Sequence, residues 1–262
     1  MLKNKIVVVS GIGPGLGIKM AVLAAKEGAA GVVLAARTAS KLDDAEAAIK
    51  KLDLDTVVLK IPNDITDRAQ CDALVQQTVD RFGRIDALIN SAYSHSDFLT
   101  AEQAQLDSWR QDMEVNVLGT MNMTLAVVPQ MKAQGEGSIV MINTMASRHV
   151  YPPEASYAVS KGALKTATLY LADDLGKYGI RVNSAFMGWM WGATLQGHFE
   201  EQAQSRGISV EAAVDEVAKN IALRRIPEDS ECAKAAIFLA SDYSSAMSGA
   251  QLDVNGGHFM PY

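Results

Sequence analysis

Cysteine is scarce: Cys71 and Cys232 are the two thiols in 262 residues. Two cannot build a disulfide framework, and they fit reduced thiols in a cytoplasmic protein. Long apolar runs are missing as well. Met1-Leu2-Lys3-Asn4-Lys5 leads into the short run Ile6-Val7-Val8-Val9 before glycines begin, too little for a signal peptide or a membrane span. No lysine/arginine run occurs, and a net charge of -6 with a pI near 5.3 argues against a nucleic-acid or anionic-membrane surface. The four histidines, His95, His149, His198 and His258, lack metal-ligand spacing, so structural or solvated roles are expected and no metal. No linker or internal repeat divides the chain.

What is present points to a filled core: 48% of residues are hydrophobic and the mean hydropathy is +0.05. Strand and helix signals alternate. Apolar strands are predicted at residues 5–10, 32–36, 56–59, 85–90, 137–144, 180–184 and 250–254. Helical spacing is predicted from Ile18 onward, from Ser40 as N-cap to Leu52, and over 66–82, 112–133, the stretch from Tyr157, and 231–241. A Met- and Trp-rich stretch after the sixth strand reads as irregular. Continuously apolar strands alternating with helices mark a parallel sheet covered on both faces. The expectation is one α/β domain, Rossmann-like, with a doubly wound seven-stranded sheet.

Ser10-Gly11-Ile12-Gly13-Pro14-Gly15-Leu16-Gly17 joins the first strand to the first helix. Gly11 would make the tight turn, Gly15 let a pyrophosphate approach the backbone, and Gly17 allow close helix–strand packing. The helix start then offers free N–H groups to phosphate. The second strand ends in Ala36-Arg37-Thr38, with a guanidinium and no carboxylate where a cofactor's ribose would lie. That favours NADP(H), with NAD(H) possible. Tyr157 and Lys161 fall one helical turn apart, and an ammonium beside a phenol would lower the phenol's pKa toward working pH.

Together these residues resemble the short-chain dehydrogenase/reductase family over nearly the full length. The resemblance rests on Ser10-Gly11-x-x-x-Gly15-x-Gly17, Asp64 with Ile65, Asn90-Ser91-Ala92-Tyr93, Asn116, and Tyr157-x-x-x-Lys161. Phe238-Leu239-Ala240-Ser241-Asp242 and Gly249-x-x-Leu252-x-Val254-x-Gly256-Gly257 extend it. It implies that Asp64 and Ile65 flank the adenine and that Asn90, Ser91 and Ala92 line the cofactor. It implies further that Asn116 holds a water near Lys161, and that Met187, Gly188 and Met190 line the nicotinamide. The chain departs from the family at Thr144, where a serine is usual, while Ser147 stands out of place. Tyr93 replaces a glycine, Met187 a proline, and Gly192 a frequent threonine. Pro14 stands where many NADP-dependent relatives carry a second basic residue.

The resemblance also implies hydride transfer between a nicotinamide and a carbonyl carbon, with Tyr157 as acid/base, Thr144 donating to the same oxygen, and Lys161 and Asn116 in support. A cofactor half (about 1–145) would precede a catalytic and substrate half (about 146–262) with a lid over about 187–220. Helices 112–133 and 157–178 would pair in a homotetramer. Substrate contacts are expected from segments 93–98, 145–153 and 186–199, with Tyr93, Met145, Tyr151, Trp189, Trp191 and Leu195 as walls. Such walls suit a bulky apolar ketone or alcohol. Two other readings stay open: a 3-oxoacyl carrier-protein reductase, and a non-catalytic NADP(H)-binding protein.

Overall fold

The computed structural model describes residues 1–151 and 153–260; Pro152, inside the 145–153 segment, and the last two residues lie outside it. The elements run β1 (Ile6–Ser10), α1 (Leu16–Lys26), β2 (Gly31–Ala36), α2 (Ala39–Lys50), β3 (Val57–Pro62), α3 (Arg68–Phe82) and β4 (Ala87–Asn90). Then come α4 (Leu106–Met113), a π-helical turn (Glu114–Gly119), α5 (Thr120–Gln134), β5 (Gly137–Thr144), α6 (Ala155–Gly176) and β6 (Ile180–Met187). The chain closes with α7 (Ala193–Arg206), α8 (Val210–Ala218), α9 (Asp229–Ala240) and β7 (Gln251–Val254).

All seven strands are parallel, in the order β3-β2-β1-β4-β5-β6-β7. The order reverses between β1 and β4, so the connections leaving these two strands diverge and open a crevice at their carboxyl ends. Alternation along each strand feeds two separate layers. Val7, Val9 and Leu34 pack with α1 and α9, whereas Val8, Val33 and Leu88 pack with α3, α5 and α6. Covering both faces is why the strands are apolar at nearly every position. The chain is a single Rossmann-like domain.

Several expectations need correcting. β3 is not buried throughout: it is the edge strand, Val57 is exposed, and Lys60 reaches Asp43 and Glu46 at 2.7 and 2.9 Å. Charged side chains on an edge discourage further strand pairing. The 66–82 helix begins at Arg68, because Asp67 caps it by accepting from the Ala69 and Gln70 N–H groups. Thr38, not Ser40, occupies the N-cap position of α2, and α6 starts before Tyr157, at Ala155. The 112–133 helix extends back to Leu106 and contains the π turn. The stretch read as irregular after β6 folds into α7 and α8 over a small core of Phe199, Ala213, Ile221 and Ile226. Gly197 does not break α7, since one glycine costs a helix only about 1 kcal/mol. Among the described residues, no helix is long and apolar enough to cross a membrane.

Candidate active site

A cavity of about 560 Å³ opens at the reversal point and runs from the glycine loop to α7. Two glycines form its floor by necessity. Gly11 has φ +107°, and a Cβ there would lie 2.1 Å from the Ala92 nitrogen. A Cβ on Gly17 would lie 2.2 Å from the Gly11 oxygen. Gly13 and Gly15 behave differently, for a Cβ on either would meet nothing within 4 Å. Their space belongs to the cavity, and with the open start of α1 it fits a pyrophosphate. Ser10 and Leu16 line the same end.

At the end of β2, exposed Arg37 and Thr38 line the cavity, and Lys41 joins them from the first turn of α2. Lys41 is a second cation that the sequence does not signal, since the family's second basic position falls in the glycine loop, where Pro14 stands. Asp64 and Ile65 line the opposite wall. The Asp64 carboxylate accepts from the Thr66 N–H at 3.0 Å and hydroxyl at 2.8 Å, which fixes the turn before α3. Ser91 and Ala92 line the cavity but Asn90 does not. Its amide is buried and donates to the Thr124 hydroxyl at 3.0 Å, so it ties β4 to α5.

Thr144 ends β5, and Tyr157 and Lys161 occupy the first turns of α6; all three face the cavity. The Asn143 side chain clamps the two elements by donating to the Lys161 carbonyl at 3.1 Å. The Thr144 hydroxyl also accepts from the Ala146 N–H at 3.2 Å. Ser147 turns away, donating to the Thr144 carbonyl at 2.7 Å. The Lys161 ammonium is buried, donates to the Ile142 carbonyl at 2.9 Å, and lies 5.9 Å from the Tyr157 ring centroid.

The expected lowering of the Tyr157 pKa is reversed. Burial pushes the phenol up, the charges of Tyr93 and Glu154 add to that, and Thr144 pulls the other way. Burial also lowers Lys161 to about 8, with Asp112 opposing. Desolvation disfavours the charged form of both groups and is the largest cause of each shift.

Asn116 lies in the π turn, fully buried and off the cavity wall. Its carboxamide accepts from the Ser94 N–H at 2.7 Å and donates to the Ser94 carbonyl and the Ser160 hydroxyl. It thereby fixes the loop after β4 against α6. Asp112, absent from the sequence reading except as a helix start, does a parallel task. It is fully buried and accepts from Ser156 at 2.7 Å and from the Ser96 N–H and hydroxyl.

The substrate end holds Tyr93, Met145, Tyr151, Met187, Gly188, Trp189, Met190 and Leu195. Trp191 is not among its walls. Its backbone is held between Pro227 and Asp229, and its ring turns to Phe199 in the small core. His95 also departs from expectation: it lines the cavity with its ring stacked on Tyr157 at 4.6 Å and 18°. Glu154, Phe98 and His198 complete the wall. His95, Phe98 and His198 lie in segments expected to contact substrate, although not singled out there, whereas Glu154 falls just past the 145–153 segment and carried no sequence signal.

The sequence profile of a family described as enoyl-(acyl carrier protein) reductase matches residues 11–258. A trans-4-hydroxycyclohexanecarboxylate dehydrogenase from Sinomonas cyclohexanicum is 33% identical, covering 97% of this chain and 92% of that protein. The chain belongs to the short-chain dehydrogenase/reductase family. A 3-oxoacyl-[acyl-carrier-protein] reductase from Thermotoga maritima is 31% identical, covering 98% of each chain. The structure of L-sorbose reductase from Gluconobacter frateurii, complexed with NADPH and L-sorbose, superposes with a TM-score of 0.91 at 27% identity, covering 100% of this chain and 98% of that one. Structures of the family hold NADPH or NAD+. The protein is therefore an oxidoreductase acting between alcohols and ketones with NAD(P).

Proposed function

We propose that the protein interconverts a fairly bulky ketone and its secondary alcohol, with NADP(H) as the preferred cofactor and Tyr157 as acid/base. The observation that carries this reading is one cavity with the glycine loop at one end and Thr144, Tyr157 and Lys161 together further in. A bound nicotinamide would supply or accept the hydride. In reduction Tyr157 gives its proton to the developing alkoxide while Thr144 donates to the same oxygen. Lys161, with a pKa near 8, can return a proton to Tyr157 at working pH. Asn116 and Asp112 hold the loops that carry these groups. Aromatic and thioether walls, with Met145, Tyr151 and Trp189 as examples, support a substrate larger and less polar than a sugar. A panel of cyclic ketones and acyl thioesters, followed by NADPH oxidation, tests the reading. Preference for the thioesters would favour the carrier-protein reductase reading that the Thermotoga maritima relative supports, and turnover of neither would favour a binding protein.

Cofactor choice rests on Arg37 and Lys41, two exposed cations where a 2′-phosphate would lie. NADPH is expected to bind more tightly than NADH. Arg37→Ala should weaken NADPH by about ten- to a hundredfold with little change for NADH, as befits one charge-assisted contact. Ala36→Asp should invert the preference. Equal affinities in the wild type, measured by fluorescence titration, would make Arg37 a plain surface residue. A homotetramer also forms part of the proposal. Leu118, Leu125 and Val159 are 53%, 42% and 51% exposed on the π turn, α5 and α6, leaving apolar surface for pairing. Solution scattering at micromolar concentration should give a fourfold mass, and a monomer would refute it.

A further inference from the structure

Charge is divided unevenly along the cavity. Arg37 and Lys41 line the glycine-loop end, whereas at the substrate end Lys161 is the one lysine or arginine among the described residues, and it is tied to Ile142. Arg148, close in sequence, is turned away onto Asp253 at 2.8 Å and onto the ring of Phe186. Glu154, the N-cap residue of α6, therefore faces the substrate space without a cationic partner. Its carbonyl accepts from the Ala158 N–H, but among the described residues its carboxylate takes no hydrogen bond, not even a cap bond to its own helix. Its surroundings are aromatic. Tyr151 and Trp189 stand edge to face at 5.6 Å and 77°, Tyr157 lies beyond, and the charge of Glu154 acts on both tyrosines.

A half-buried carboxylate without a partner is costly, and burial accordingly pushes the Glu154 pKa up. One kind of ligand group satisfies it best. A protonated amine would pair with the carboxylate and lie against electron-rich ring faces. A carboxylate or phosphate would meet Glu154 with no lysine or arginine free to receive it. Of the two histidines in the wall, His95 and His198, burial pushes the His95 pKa down, away from the charged form. A neutral hydroxyl would form a single weaker bond. We infer that the substrate carries a protonated amine, which Glu154 holds beside Tyr151 and Trp189 while the reacting carbon lies at Tyr157. This rests on the redox reading above and adds a substrate class to it.

The test compares three ketones of similar size, each with the purified full chain and NADPH at about pH 7.5, where a tertiary amine is protonated. They are 4-(dimethylamino)cyclohexanone, 4-isopropylcyclohexanone and 4-oxocyclohexanecarboxylate. The amine should exceed the neutral ketone in kcat/KM by about tenfold and the carboxylate by about a hundredfold. Glu154→Gln should cut the amine-over-neutral ratio by about tenfold, and Glu154→Lys should favour the carboxylate. Equal kcat/KM for all three, or an unchanged ratio in Glu154→Gln, overturns the inference. If none turns over, tryptophan fluorescence titrations with the same compounds decide. Amine binding that weakens in Glu154→Gln would uphold the subsite and sink the redox reading. Binding without preference would sink the subsite.

Discussion

Tyr157→Phe is expected to lower ketone reduction by about 10²- to 10⁴-fold while NADPH affinity stays within about twofold. The substitution removes one hydroxyl and keeps the ring, so the stack with His95 at 4.6 Å and the edge contact with Tyr93 at 6.2 Å should persist. Whatever activity disappears then belongs to the proton. The direction of the Tyr157 shift adds a second signature. Burial raises the phenol's pKa, so the proton needed for reduction stays in place through neutral and mildly alkaline pH. Alcohol oxidation needs the phenolate and should rise with pH across the same range. Steady-state rates in both directions, with cofactor titrations for wild type and variant, check this. A variant retaining a tenth of the wild-type rate would show that Tyr157 is not the proton donor.

The parts of this molecule that were legible in the sequence are those set by local chemistry. Val7, Val8 and Val9 are all apolar because the strand is covered on both faces, and that pattern needs no knowledge of the neighbours. Gly11 and Gly17 are equally readable, since a strand–glycine–helix junction demands positions where a Cβ would strike backbone. What the sequence hid depends on which distant segments meet. His95 lies 62 residues from Tyr157 in the chain, and only the loop after β4, fastened by Asn116 to Ser94, brings their rings together (157 − 95). The Tyr157 pKa misled for a related reason. Spacing shows that an ammonium is near, but the direction of the shift depends on burial, which spacing does not carry. Trp191 was read as a cavity wall because it sits among Met and Trp residues. Its side chain instead serves the small core under α7 and α8, a unit that reads as irregular in the sequence.

Thr144→Val should cost about 10²- to 10³-fold in kcat, or roughly 2.7–4 kcal/mol, the loss found when a donor to a developing oxyanion is removed. Valine keeps the branched shape and the χ1 preference, so the pocket's volume is preserved and only the hydroxyl goes. That hydroxyl has a second duty, accepting from the Ala146 N–H at 3.2 Å as the cap of the turn after β5. Losing the cap should lower stability by about 1 kcal/mol, which a melting curve would register separately from the kinetic loss. Thr144→Ser restores both duties and should keep activity within about threefold of wild type. Ser147→Ala is the informative control. Ser147 is the other hydroxyl nearby, but it donates to the Thr144 carbonyl and does not line the cavity, so its removal should change kcat by no more than about threefold. Comparing kcat, KM and melting temperature across the three variants separates the roles. If Ser147→Ala loses activity while Thr144→Val keeps it, the donor has been assigned to the wrong hydroxyl, and the end of β5 must rearrange when substrate binds.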